Sequence, residues 1–346
     1  MTRMLANADP ALRRAWHAVA RSKDVGTAPI RVRLLGEEWV LVRLPVAGAT
    51  VDASTLTAFV DRCPHRFAPL SAGWVDGSAL RCGYHGWCFA ADGACTEIPS
   101  LGDTDHIPPR AVATKPAGLA ERNGMVFLAP EPPITELLDV PEAGDPAFMH
   151  GSLEPIRARV GAGLMIDNFL DMAHFPFVHL ATIGTPEAET CEFAVERAGF
   201  GMRMRAQHPF PHREDPGVAE GIRPLIQTRA LEYRYRAPFS ICLRIDYVEA
   251  GGTNVLDFYV QPEDGDDCLL YMNVHRNDLD GDPHRMADAV AFERKVVDED
   301  LALQERYTDR RLPLDLTAEV HVKADRMTIE LRRILGDLVT TAAALP

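Results

Sequence analysis

The chain has 346 residues, 47% apolar and 25% charged, with a formal net charge of −14 from 36 basic and 50 acidic side chains. That length suits two soluble globular domains, and an acidic chain without a basic block argues against nucleic-acid binding. No run of about 20 apolar residues could cross a membrane and no apolar leader opens the sequence. Seven cysteines, an odd number in a long chain, suit free thiols in a reducing compartment, here the cytoplasm.

In residues 10–24, Leu12, Trp16 and Val19 recur at near-helical spacing and predict a short amphipathic helix. Across 30–44, Val and Leu alternate with Arg and Glu around Gly36, a hairpin pattern, and 56–60 reads as another strand. Asp92-Gly93 marks a turn and 125–128 a last strand, so 30–130 reads as a small antiparallel β domain.

Within it stand two Cys-plus-His pairs, Cys63 with His65 and Cys82 with His85, separated by sixteen residues. Two thiolates on one iron and two neutral imidazoles on the other hold a [2Fe–2S] cluster of the Rieske type. Structural zinc is the competing use of such a set, but its usual pattern keeps Cys pairs and His pairs apart. Gly83 and Gly86 flank the second pair, where backbone must pass close to the cluster or adopt positive φ, and Pro64 stiffens the first loop.

Pro130, Pro132, Pro133, Pro141 and Pro146 then mark a crossing, read as a linker over 136–150 between a domain of 1–135 and one of 151–346. Beyond a short strand near 157–160, strands are expected at 192–195, 202–206, 231–235, 241–247, 255–260 and 269–274, forming one large antiparallel sheet. Acidic turns are expected at 263–267 and 278–282, and helices at 284–309 and 324–339.

A second chemical centre lies in residues 164–179. On a helix, Asp167, Asp171 and His174 would share one face, among apolar neighbours that imply burial, and buried carboxylates need partners or a metal. His179 follows His174 by five residues, off a common helical face, with Pro176 between them to end or kink the helix and turn His179 back. Two His and one carboxylate form the facial triad of non-haem Fe(II) oxygenases. The carboxylate comes from the late helix. With Val297 at zero and 100° per residue, an apolar arc spans about +40° to −140°; Asp300 falls inside it at about −60° and Asp298 outside it at about +100°. Asp300 is therefore the expected third ligand, with Glu293, near −40°, the runner-up. Leu231, Ile241, Tyr259, Asn273 and His275 are candidates to line a pocket.

The stretch from Cys63 to His85, with Gly86-Trp87 and Phe89 after it, resembles the Rieske domain of ring-hydroxylating and demethylating oxygenases. Ala68 and Tyr84 stand where respiratory Rieske proteins carry a further Cys pair. Asn168, Asp171, His174 and His179, with an Asp on a late helix, resemble the catalytic domain of the same family, so the resemblance runs from Trp16 to the last helix. It implies an α+β fold: an N-terminal all-β Rieske [2Fe–2S] domain and a C-terminal helix-grip, START-like catalytic domain with a large antiparallel sheet. It implies a mononuclear Fe(II) beside the cluster, and a head-to-tail homotrimer in which Asp171 bridges His174 and His85 of the neighbouring subunit, with Asn168 also catalytic. The length looks like the α-only branch that includes vanillate and dicamba demethylases. The expected activity is that of a terminal monooxygenase, using O2 for oxidative demethylation or hydroxylation of a small, aromatic substrate. Ring cis-dihydroxylation is the alternative within the class, and a Rieske electron carrier without oxygenase activity the alternative outside it. No GxGxxG follows a strand and no plant-type Cys run exists, so a separate NAD(P)H-dependent reductase, with or without a ferredoxin, must feed the chain.

Overall fold

The computed structural model of the chain describes residues 3–46, 48, 53–102, 106–182, 191–212 and 215–346. They form two compact units: Arg13–Pro133, and Met1–Leu12 together with Ile134–Pro346.

The first unit is built from three small antiparallel sheets. Ile30–Leu34 and Glu37–Pro45 pair as the expected hairpin, and Ser54–Val60 adds a third strand. The hairpin turns at Leu35 (φ 53°) and Gly36 (φ 81°), both left-handed, which matches the natural twist of the strands. Trp74–Asp76, Ala79–Arg81, Cys88–Phe89 and Cys95–Glu97 form a four-stranded sheet. Val40, Val42, Phe59, Leu70, Leu80 and Phe89 pack into one core with Cys63 and Cys82.

The helix expected over 10–24 does not form. Pro10–Arg14 is one 3-10 turn, and His17–Arg21 is a strand paired with Met125–Ala129. Residues 17–20 of that strand are all buried, so no alternation betrays it. Met4–Leu5 pairs with Leu312–Pro313, which places the first residues in the second unit rather than in the domain expected over 1–135. The linker expected over 136–150 is likewise structural. Leu138, Val140 and Phe148 are buried, and the Glu142 carboxylate accepts from Arg234 (3.1 Å) and Arg244 (2.8 Å) of the sheet.

The second unit is organised on an eight-stranded antiparallel sheet. From Ala194–Ala198 the chain meanders through Gly201–Pro211, Ile226–Arg236, Ser240–Tyr247, Thr253–Asp264 and Asp267–Arg276, and Met149–Ser152 and Ile156–Ala158 close the far edge. The acidic turn expected at 263–267 is shorter than read, because Glu263 is buried and paired with Arg157. The helix Pro283–Gln304 packs at the Met149–Ser152 edge of the sheet, and Arg326–Ala343 lays its apolar stripe of Met327, Leu331, Ile334 and Leu338 at the Ala194–Ala198 edge. This is a helix-grip arrangement: one sheet closed by helices.

Candidate functional site

The two cysteine loops of the first unit share one hydrogen-bonding plan. The Cys63 N–H donates to the Ala68 carbonyl and the Phe67 N–H to the Cys63 carbonyl (2.8 and 2.9 Å); the Cys82 N–H donates to Trp87 and the Gly86 N–H to Cys82 (2.8 and 3.0 Å). The fourth residue after each Cys is left-handed: Gly86 at φ 74°, and Phe67 at φ 60°, where the Arg62 guanidinium lies 3.6 Å from the ring centroid. Gly83 is needed for close approach, since a Cβ there would meet the Ala72 carbonyl oxygen at 2.6 Å. Arg81 braces the second loop, donating to the Gly86 carbonyl (2.8 Å) and to Glu97 (2.7 Å).

Both Cys are buried, while His85 is exposed. The His65 and His85 rings meet edge-on at 4.5 Å, and His65 stacks on Trp87 at 4.5 Å. The buried His65 Nδ1 has no hydrogen-bond partner among the described residues. Burial pushes the Cys63 thiol up to about 11; the His65 backbone N–H opposes this and Cys82 adds to it. Two neighbouring buried sulfurs and an orphaned imidazole nitrogen are a donor set that fits an iron–sulfur cluster, whose iron displaces the thiol protons.

In the second unit the chemistry is gathered by a broken helix. Ala162–Phe169 ends at Leu170, and Phe175–Val178 forms a separate single turn with Pro176 in its first turn. There its missing N–H is harmless; within one continuous helix its ring would strike the carbonyl of Met172. His174 and His179 stand as the N-cap and C-cap of this single turn. Asp167, Asp171 and His174 therefore do not share one helical face. Asp167 turns away to a two-pronged ion pair with Arg332 (2.6 and 2.9 Å).

His174 Nε2, His179 Nε2 and Asp300 Oδ1 converge. The two nitrogens are 3.1 Å apart, and they lie 3.4 and 3.1 Å from the oxygen. Ligands about 2.1 Å from a metal and at right angles to each other stand about 3.0 Å apart, so the triangle suits one face of an octahedral ion. His179 Nδ1 donates to Glu299 Oε2 (2.7 Å), and an ionised carboxylate can only accept, so Nε2 keeps its lone pair. His174 Nδ1 lies 3.4 Å from Asp171 Oδ2 without forming a hydrogen bond. The His179 lone pair, the neighbouring His174 ring nitrogen and a buried carboxylate oxygen facing one another suit a cation. Burial disfavours charge on His179, yet Asp300 and Glu299 together raise it above its ordinary value.

Asn168 Nδ2 donates to Asp300 Oδ1 (3.2 Å) and so holds the carboxylate. Asp298 is half exposed and pairs with Arg294, as its place outside the apolar arc implies. Glu293 is buried on the cavity wall and is not one of the three converging groups. Glu299 escaped the sequence reading. It falls near −160° on the same wheel, just beyond the arc, and looks like a surface residue.

Beside the three groups lies a cavity of ≈ 130 Å³, walled by Phe169, Phe258, Phe292, Leu231 and Tyr233 among others. Ile241 shares this face of the sheet but lies off the wall. Tyr259, Asn273 and His275 point to the opposite face, where Asp257 receives Asn273 (3.0 Å) and His275 (2.8 Å). His174 also borders a second, more polar cavity of ≈ 240 Å³ with Asp171, Gln304 and Tyr307.

Known proteins agree with this architecture. Residues 158–341, more than half of the chain, match the vanillate O-demethylase oxygenase C-terminal domain, and residues 15–110 match the Rieske [2Fe-2S] domain. The methylxanthine N3-demethylase NdmB of Pseudomonas putida is 30% identical over 342 residues, 96% of this chain and 90% of its own. The structure of Pseudomonas putida CBB5 NdmA with caffeine superposes with a TM-score of 0.80 at 27% identity, covering 96% of this chain and 93% of that one. Dicamba monooxygenase bound to 3,6-dichlorosalicylic acid shares the fold, with a TM-score of 0.79 at 20% identity over 96% of this chain and 99% of its own. The chain belongs to the Rieske non-haem iron oxygenases of the vanillate O-demethylase kind. Within that family it is a terminal oxygenase component with a Rieske [2Fe–2S] cluster and a mononuclear iron, a monooxygenase rather than a ring dihydroxylase, dependent on O2 and on electrons from a reductase.

Proposed function

We propose that Cys63, His65, Cys82 and His85 hold the cluster, that His174, His179 and Asp300 hold the iron, and that the chain oxidatively removes an O- or N-methyl group from a small aromatic compound. The observation that carries this is the convergence of the three triad atoms on the edge of an apolar, aromatic-walled cavity. The demethylase names of the relatives favour methyl removal. When bound, the two iron groups supply one-electron transfer and O2 activation. For an aryl methyl ether the balance is one O2, two electrons and two protons in, with phenol, formaldehyde and water out. The chain's own residues bind and orient the ring, keep bulk water out through the apolar wall, and fix the His179 proton on Nδ1 through Glu299.

Asp171 is the proposed electron bridge between His174 and His85 of a neighbouring subunit in a head-to-tail homotrimer. Its carboxylate is about a third exposed and borders the polar cavity on the far side of His174 from the aromatic one. A separate NAD(P)H-dependent reductase, alone or through a ferredoxin, feeds the cluster. None of the seven cysteines is in a disulfide, which favours a cytoplasmic setting, and no helix among the described residues is long and apolar enough to cross a membrane.

Two variants test the assignment. Cys63→Ser should abolish the visible cluster absorption; His179→Ala should keep that spectrum and lose the mononuclear iron. An intact spectrum in the first, or full iron content in the second, refutes the corresponding site. Light scattering that finds an active monomer refutes the inter-subunit path.

A further inference from the structure

The helix that leads into the triad begins without a cap of its own. Ala162–Phe169 starts after Gly161, which has no side chain to accept from the first N–H groups of the helix. No residue with a capping side chain fits there, because a Cβ on Gly161 would meet the Arg310 carbonyl oxygen at 2.1 Å. The cap comes from the start of the chain. The Ala162 N–H donates to Asn7 Oδ1 (2.9 Å), 155 residues upstream, and the Gly161 N–H donates to the Arg310 carbonyl (3.0 Å). Asn7 is 3% exposed and both ends of its amide are used, since Nδ2 donates to the Asp267 carbonyl (2.9 Å). That second bond decides which end faces the helix. The arm that carries Asn7 is anchored by other contacts. Met4–Leu5 pairs with Leu312–Pro313, and the Leu314 N–H donates to the Arg3 carbonyl (2.9 Å).

What the capped end controls is registry. Ala162–Phe169 meets Pro283–Gln304 through two polar contacts in antiparallel order: Gln304 Nε2 donates to the Leu164 carbonyl (3.2 Å), and Asn168 Nδ2 donates to Asp300 Oδ1 (3.2 Å). On each helix the two partners are four residues apart, about one turn and about 6 Å. Because the spacings match, one sliding motion of the short helix along the long one stretches both bonds together. A slide by a single residue's rise, about 1.5 Å, takes both to the limit of hydrogen-bond range. An eight-residue helix is shorter than the about 12–15 residues that hold a helix together in water, so its contacts decide where it stands. Its far end matters to the triad twice. Asn168 holds Asp300, and the turn bearing His174 and His179 follows directly from the helix end at Leu170.

We propose that Asn7 is a positioning residue for the mononuclear iron: the N-terminal arm caps Ala162–Phe169 and so sets the height at which Asn168 holds Asp300 and from which the two His ligands follow. This rests on His174, His179 and Asp300 being the iron ligands. Asn7 itself touches none of the three; it acts through the helix.

Anaerobic equilibrium dialysis of Fe(II) against the full chain, with its cluster in place, tests this. Asn7→Leu removes both polar ends of the side chain at similar volume. Asn7→Asp keeps an oxygen towards Ala162 and gives up only the donor to Asp267. Loss of the cap should raise the Fe(II) Kd about two- to thirtyfold in Asn7→Leu, with Asn7→Asp closer to wild type. The cluster spectrum should not change. At saturating iron, the electron paramagnetic resonance signal of the nitric oxide adduct should shift or broaden in Asn7→Leu, which a loss of stability alone would not produce. A wild-type Kd or an unchanged signal in Asn7→Leu overturns the proposal, and so does a Kd in Asn7→Asp raised as far as in Asn7→Leu. If Asn7→Leu does not fold, Asn7→Ala takes its place. The two readings fail differently. Full iron content in His179→Ala refutes the ligand assignment. Iron loss in His179→Ala with a wild-type Kd in Asn7→Leu keeps the ligands and removes only the role of Asn7.

Discussion

Removing the Glu299 carboxylate should weaken iron binding without touching the three proposed ligands. Glu299 Oε2 accepts from His179 Nδ1 at 2.7 Å and from the Thr182 hydroxyl at 2.8 Å. A hydrogen bond to a charged group contributes about 1.5–3 kcal/mol. Glu299 is 29% exposed, so solvent screening favours the lower part of that range, about 1.5–2 kcal/mol. That predicts about a ten- to thirty-fold rise in the Fe(II) Kd of Glu299→Ala, inside the about 10–100-fold expected of a group that orients a metal-bound His. The pH dependence sharpens the test. Iron needs neutral His179, and Asp300 and Glu299 hold its folded-state pKa above the ordinary value, so the wild type loses affinity as pH falls through that raised pKa. Without Glu299 the imidazole titrates lower and competes less with iron, so the gap should be widest at mildly alkaline pH and narrow as pH falls. Anaerobic equilibrium dialysis of Fe(II), with the cluster spectrum as a folding control, measures both. An unchanged Kd, or a gap that widens towards acid, refutes the orienting role.

Asp300→Ala should lose mononuclear iron while Asp298→Ala, an exposed partner of Arg294, keeps it; metal analysis showing normal iron in the first and loss in Glu293→Ala would move the ligand to Glu293. Asp171→Asn should keep both iron groups and normal reduction by the reductase, but slow single-turnover oxidation of the reduced cluster by orders of magnitude, because an amide cannot accept from two rings with one oxygen-bearing and one hydrogen-bearing end. Wild-type oxidation in stopped flow would leave Asp171 with a structural role only. Gly86→Ala should destabilise the first unit by about 1–2 kcal/mol, since it forces a left-handed residue to carry a Cβ, one that would lie 3.0 Å from Pro99; an unchanged denaturation midpoint would contradict this.

The two candidate metal sites were legible for different reasons. The cluster pairs could be read because mixed Cys and His donors at short spacing have few other uses. Asp300 could be read because a long helix converts position into direction, and its 3% exposure fits that direction. Asp167 was misgrouped with the site because the reading ran one helix from Asp167 to His174; the helix ends at Leu170, and Asp167 pairs with Arg332, 165 residues away and invisible to local periodicity. His275 was one candidate for the pocket, yet parity excludes it: Met272 faces the cavity, so Asn273 and His275 both face away, and His275 is spent on Asp257. Arg229, which lines the cavity, was not singled out in the sequence although the same parity reveals it, as the one charged member of an inward row with Leu231 and Tyr233. The strand at 17–21 was unreadable, since a fully buried strand has no alternation to show.

The two proposed sites also hold their ligands in opposite ways. In the first unit the sulfurs are buried in the core and fixed by paired backbone hydrogen bonds, while the His85 ring is exposed. The buried end can thus keep its geometry while the open end meets an electron partner. In the second unit His179 and Asp300 are almost fully buried, at 1% and 3%, and His174 is the ring that faces both the aromatic cavity and the polar one beside Asp171. By the proposed route, an electron at Asp171 would meet the one proposed ligand that borders both cavities, with the proposed substrate cavity on its other side. The break between the two helical segments is what makes this possible. A continuous helix would carry His174 and His179 to different faces, so the two rings could not both turn to Asp300.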